Sequence, residues 1–309
     1  MATLRESATD TFTVGSYKLA SLLAQLTPGP LAYASARLIG YTASASLQSR
    51  RSIIERHIRR AKPGIDKRAL RGAVQGAFDS YARYYVESFR LPGLPREVVH
   101  NSFTIDGFDS VLLGLTKGRG VILALPHLGG WEWAGRWLAD QKHKVTVVVE
   151  PLQPPELFEW FTNLRTNLGM NVVPLGDGVA AEILSAPRDN HIVCLLCDRD
   201  LKGDGIPVEF FGEVTTLPAG PVTLAIRSGA PLITAAVYFT DRYNGHHAIV
   251  RPPLELTRNG RLRDDVAAGT QKLAHELEAL IRRAPEQWHM FQPNWPSDPG
   301  YAEMRAGSN

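Results

Sequence analysis

A chain of 309 residues, 44% hydrophobic and 21% charged, is long enough to bury a large core and far from the composition of a disordered protein. Its two cysteines exclude a secreted disulfide framework, and its net charge of +3 conceals an uneven distribution. The whole of 1–309 reads as one α/β domain, with 16–90 as its helical, membrane-associated part. The first residues include Arg5, Glu6 and Asp10 before any apolar core, which is not the pattern of a signal peptide. Ser16 to Gln48 reads as two helices joined at Thr27-Pro28-Gly29-Pro30, with Leu19, Leu22, Leu23 and Leu26 at helical spacing. The charge-free stretch from Leu19 to Ala36 is broken by those prolines, so no transmembrane segment is expected. Two readings stand for this helical pair: it lies on a membrane surface, or it packs on the core.

Arg50, Arg51, Arg56, Arg59, Arg60, Lys62, Lys67, Arg68 and Arg71 face only Glu55 and Asp66, so nine basic and two acidic residues leave this segment at +7. It suits an anionic partner or forms a solvated helix face, and both readings stay open. The absence of interleaved aromatics argues against nucleic acid. Ile65 to Phe89 reads as a long helix carrying Leu70, Val74, Phe78, Tyr81 and Tyr85. The pattern then changes to short apolar runs: Val121 to Leu125, Val145 to Val149, Asn171 to Pro174, Ile192 to Cys197 and Pro231 to Phe239. Helical segments separate them at Leu157 to Leu168, Val179 to Ser185 and Pro218 to Ser228. His247 to Arg251 is a candidate antiparallel strand, and Asp264 to Arg283 a closing helix. Strands alternating with helices predict an α/β fold with a central, mostly parallel β-sheet flanked by helices. Cys194 and Cys197 spell C-x-x-C, but three positions apart on a strand face opposite sides, so buried separate thiols are expected.

Sites in such sheets form where strands end and helices begin. The junction Leu125-Pro126-His127-Leu128-Gly129-Gly130-Trp131-Glu132-Trp133 stands out. Five positions on an unbroken helix turn through about 140°, so His127 and Glu132 diverge unless the helix starts at the glycines. With that start His127 folds back, Glu132 holds one imidazole nitrogen, and the other is left as a general base. The glycines would also admit substrate to the helix N-terminus. Spacing alone carries nothing, since nine histidines and 31 acidic residues in 309 give about one chance match. The strand, Pro-His, double Gly and helical Glu give the signal, and a His that only caps the helix is the alternative. Of Trp131, Trp133 and Trp137, at least two are expected in the core.

His127 to Glu132 resembles the H-x4-D/E signature of glycerolipid acyltransferases. Its surroundings are similar more narrowly to the lipid A late acyltransferase superfamily, and the whole from Ser16 to Trp295 to that superfamily's phosphatidylinositol mannoside branch in mycobacteria and related actinobacteria. Leu217-Pro218-Ala219-Gly220-Pro221, Ser228-Gly229-Ala230-Pro231 and Pro285-Glu286-Gln287-Trp288-His289 carry the resemblance further. It implies an acyl-CoA donor and a mannose 6-hydroxyl acceptor on a phosphatidylinositol mannoside. It also implies a peripheral place on the cytoplasmic, anionic face of the plasma membrane, with no metal or redox cofactor. It assigns the base to His127 and its orientation to Glu132. Less closely, Glu150, Arg165, Asp198 and Arg199 match polar family positions. They gather at one sheet edge as an acceptor pocket, unless they form structural ion pairs. Rival readings are a lipid A-type enzyme with another glycolipid acceptor, a hydrolase, and a non-catalytic lipid-binding protein.

Overall fold

The computed structural model describes residues 2–306 apart from 177, 201 and 259, with side chains from residue 14 onward, so those of Arg5, Glu6 and Asp10 lie outside it. Four helices come first: α1 (Ala2–Leu26), α2 (Gly29–Ser46), α3 (Gln48–Ala61) and α4 (Lys67–Arg90). Then follow α5 (Arg96–Asn101), β1 (Phe103–Asp106), α6 (Asp109–Thr116), β2 (Val121–Leu125), α7 (Trp131–Asp140), β3 (Val145–Val149), α8 (Pro155–Asn167), β4 (Met170–Pro174), α9 (Ala180–Arg188) and β5 (Ile192–Leu196). A hairpin of β6 (Ile206–Phe210) and β7 (Glu213–Leu217) precedes α10 (Gly220–Ser228), β8 (Leu232–Phe239), β9 (His246–Pro253), α11 (Leu262–Ile281) and α12 (Tyr301–Ala306).

The expected α/β fold is what forms. Seven strands make one sheet in the order β1-β9-β8-β2-β5-β3-β4, parallel except where β9 pairs antiparallel to β8. Alternate strand residues feed two cores. Ile122, Ala124, Val193 and Cys197 pack toward α10 and α11, whereas Val121, Leu123, Val145 and Ile192 pack toward α7. The two cysteines are free and feed opposite cores, as strand alternation requires. Sequence periodicity does not announce β1, α3 or the β6–β7 hairpin, which turns through Phe211 and Gly212, both at positive φ.

The first four helices pack in an unusual sense. On α2, Ala32, Ala36, Gly40 and Ser44 face inward, and a Cβ on Gly40 would strike the backbone of Asp79 on α4. Small residues thus let α2 approach α4 closely, while larger apolar side chains point away. Leu19, Leu22 and Leu26 are 57%, 55% and 72% exposed, and Leu31, Leu38 and Tyr41 are exposed as well. Among the described residues no helix is long and apolar enough to cross a membrane. Much of the basic segment is bound internally: Arg56 and Arg60 reach Asp298, Arg50 donates to the Phe291 carbonyl, and Arg59 pairs with Glu55.

Candidate active site

β2 is buried along its whole length and delivers Pro126 and His127 to the sheet's C-terminal edge. The turn that follows is spent on packing. The amides of Leu128, Gly129 and Gly130 donate to Pro126, Gln287 and Val237 carbonyls at 2.8, 3.0 and 3.2 Å. Gly129 has φ +60, and a Cβ there would run into the Val237 carbonyl, while one on Gly130 would meet the His246 ring. Glycine is needed here because β8 and β9 come this close. The amides of Trp131 and Glu132, in the first turn of α7, keep no such backbone partner among the described residues.

The imidazole of His127 is held by Asp198, the second residue after β5. Nδ1 lies 2.5 Å from Asp198 Oδ1, and the His127 amide donates to Oδ2 at 3.0 Å. A carboxylate only accepts, so Nδ1 carries the proton and the lone pair sits on Nε2. Nε2 has no protein partner among the described residues, and the side chain is 18% exposed, within reach of a substrate. Asp198 is fully buried, which favours its neutral form. The His127 ring, the Trp288 indole N–H at 2.6 Å and the His127 amide more than offset this, and its pKa stays below the usual carboxylate value.

Glu132 does not hold His127. It is buried, and Arg165 Nε and Nη2 donate to its Oε1 at 3.0 and 2.5 Å, while the Tyr84 hydroxyl donates at 3.2 Å. Once α7 has begun at Gly130, the first turn aims Glu132 toward α4 and α8, away from the end of β5. Burial opposes the Arg165 charge, but the adjoining Glu132 raises its pKa on balance; burial and then Glu132 raise that of Tyr84. Tyr84 lies on Trp131 with centroids 4.2 Å apart, and Trp131 meets the His127 ring edge-on at 5.7 Å. The rings of Tyr84 and Trp131 therefore stand between Glu132 and His127. Trp133 and Trp137 are core residues.

The expected acceptor pocket divides accordingly. Arg165 is committed to Glu132 and Asp198 to His127, which leaves Glu150 and Arg199 beside the open space. Arg199 pairs with Glu150 at 3.2 Å and donates to Gln292 at 3.1 Å. With Ser49, Arg50, Asp200 and Asn294 they line a polar cavity of about 560 Å³. A larger groove of about 860 Å³, mostly apolar, opens between α1, α2 and α4, lined by Tyr17, Leu23, Ile39, Phe78, Tyr81, Tyr85 and Phe291 among others. Its Tyr81 contacts His289 at 5.2 Å, and His289 contacts Trp131 at 5.5 Å, so aromatic rings connect the groove to His127. His289 is buried against Ser80, and burial together with neighbouring His127 pushes its pKa down to about 3. No cluster among the described residues is arranged to hold a metal ion. No sequence pattern marks Tyr84, Trp288 or His289 as site residues, although the Trp288-His289 segment is visible as a motif.

Comparison with known proteins adds to this geometry. Residues 7–297 match the family described as bacterial lipid A biosynthesis acyltransferase. The chain is 40% identical over 227 residues to a phosphatidylinositol mannoside acyltransferase of Mycobacterium tuberculosis H37Rv, covering 72% of this chain and 70% of the relative. It is 40% identical over 231 residues to the protein of that name from Mycolicibacterium smegmatis, covering 73% of each.

Proposed function

This chain belongs to the bacterial lipid A biosynthesis acyltransferase family, and we propose that it moves a long acyl chain, such as palmitoyl, from acyl-CoA to the 6-hydroxyl of a mannose on a phosphatidylinositol mannoside. The observation that carries the reading is one histidine, with a free Nε2 and a carboxylate on Nδ1, connected to an apolar groove and close to a polar cavity. The names of the two relatives support the acceptor.

His127 Nε2 takes the proton of the mannose hydroxyl as its oxygen attacks the thioester carbonyl. Asp198 supports the imidazolium that forms. The tetrahedral oxyanion is met by the first-turn amides of α7, and its collapse expels the CoA thiolate, which takes up the proton from His127. No acyl-enzyme is required. The groove takes the acyl chain, each buried methylene contributing about 0.8 kcal/mol. Glu150, Arg199 and Arg50 take the hydroxyls and phosphate of the headgroup. The exposed leucines of α1 and α2, with basic residues nearby, seat the protein peripherally on an anionic membrane at the cytoplasmic face. No metal or redox cofactor enters this scheme.

The test is thiol release from palmitoyl-CoA with and without phosphatidylinositol mannoside, and mass analysis of the product. Acceptor-dependent release that vanishes in His127→Ala supports the reading. Full activity in that variant overturns the base, acceptor-independent release makes the protein a thioesterase, and acylation of only another glycolipid overturns the acceptor.

A further inference from the structure

The segment from Trp288 to Asp298 crosses the sheet edge beside His127 without belonging to helix or sheet, apart from a single bridge at Trp288. It touches the dyad repeatedly. The His289 amide donates to the His127 carbonyl at 2.7 Å. Asn294 Nδ2 donates to the Asp198 carbonyl at 3.1 Å. The Trp288 indole N–H donates to Asp198 Oδ2 at 2.6 Å, with both side chains buried.

The segment is in turn fastened to α3. His57 places Nδ1 3.1 Å from the Met290 carbonyl and Nε2 3.1 Å from Asp298 Oδ2. Asp298 also accepts from the amides of Asn294 and Trp295 and from Arg60. A loop tied at this many points cannot follow a drifting side chain, so it acts as a fixed reference for whatever it holds.

We infer that Trp288 is a positioning residue: its indole N–H fixes the plane of the Asp198 carboxylate so that Oδ1 meets His127 Nδ1 and Nε2 faces the acceptor hydroxyl. Oδ2 has two donors, the His127 amide and the indole. The amide moves with the loop that carries the base, so the indole is the donor that relates Asp198 to a separate part of the chain. Removing it leaves the carboxylate free to rotate about its Cβ–Cγ bond, and the imidazole turns with it. A base misaligned in this way binds substrates as before but attacks poorly.

This inference rests on His127 being the base, and the test separates the two. Trp288 is replaced site-specifically in the full chain by benzothienylalanine, which keeps the ring shape and puts sulfur where the N–H was. Trp288→Phe is made beside it, with its melting temperature recorded. Palmitoyl transfer to phosphatidylinositol mannoside is measured, together with the downfield proton resonance of His127 Nδ1–H, assigned by its loss in His127→Ala. The expected result is a fall in kcat of about tenfold to a hundredfold, KM values at wild type, and a displaced or broadened resonance. Wild-type kcat in the isostere overturns the inference, as does a lower kcat with an unmoved resonance. Activity persisting in His127→Ala would defeat the base, whereas the resonance in the Trp288 variants still reports whether the indole positions the dyad.

Discussion

Two carboxylates compete for the role of orienting His127, and Asp198→Asn against Glu132→Gln decides between them. Asp198 Oδ2 receives two donors, the His127 amide and the Trp288 indole, at 3.0 and 2.6 Å. The asparagine oxygen must therefore occupy the Oδ2 position, which turns its NH₂ group toward His127 Nδ1. Nδ1 then has to accept, the proton moves to Nε2, and the lone pair needed for catalysis points away from the substrate. An inverted tautomer of this kind costs about 10³–10⁴ in kcat, or roughly 4–5.5 kcal/mol. Glu132→Gln leaves an oxygen for Arg165 and the imidazole tautomer untouched, so its cost falls on stability. The charge of Arg165 is left unpaired in a largely buried place, a loss of about 3–5 kcal/mol. Steady-state thiol release at saturating palmitoyl-CoA and acceptor gives kcat, and urea denaturation gives stability. If Glu132→Gln remains folded and loses more kcat than Asp198→Asn, the assignment of Asp198 fails.

Two further outcomes follow from burial. Protein stability should fall as pH drops from 7 to 5, because the unfolded state protonates its histidines near pH 6.5 while buried His289 stays neutral down to about 3; this contributes about 2 kcal/mol over that window. His57, whose pKa is lowered first by burial, adds in the same direction, and urea midpoints unchanged between pH 7 and 5 would refute both. The exposed Leu22 and Leu26 should serve lipid contact rather than folding. Leu22→Glu with Leu26→Glu should keep the wild-type melting temperature yet lose about tenfold to a hundredfold or more in partitioning onto phosphatidylinositol-containing vesicles; undiminished cosedimentation would refute the membrane face.

Apart from β1, α3 and the β6–β7 hairpin, the order of strands and helices was legible because the buried strands are short continuous apolar runs separated by helical segments. The candidate base, His127, was legible too, since Pro-His and a double glycine at a strand end are uncommon neighbours. Its partner was not. His127 and Asp198 are 71 positions apart and meet because β5 lies next to β2 in the sheet. Nothing in local spacing states that adjacency, whereas Glu132 is near in sequence and so invites pairing. A usable signal did exist: Asp198 directly follows the apolar run Ile192 to Cys197, and side chains at the ends of neighbouring parallel strands come together. Leu19 to Leu26 shows the opposite limit. Periodicity marked an apolar face correctly, but the same pattern serves a core and an exposed surface, and only the structure, with the small residues of α2 turned inward, shows that the leucines lie outside the core.

The segment after Trp288 gives the arrangement a further consequence. Within five residues it touches each working part: Trp288 holds Asp198, Phe291 lines the apolar groove and stacks on Tyr81 at 4.6 Å, and Gln292 meets Arg199 in the polar cavity. In the proposed reaction, a chain this short and this firmly tied would fix the distance from acyl carbonyl to acceptor hydroxyl, so that the entropy of bringing them together is lost on binding rather than at the barrier. The three contacts should nevertheless separate kinetically. Phe291→Ala should raise the KM for palmitoyl-CoA and spare that for acceptor, because it removes apolar surface from the groove and leaves the polar cavity's lining in place. Gln292→Ala should do the reverse, since it frees Arg199 from one partner in the polar cavity. If both substitutions raise both KM values together, the groove and the cavity do not serve different substrates, and the division of the site into an acyl side and a headgroup side is wrong.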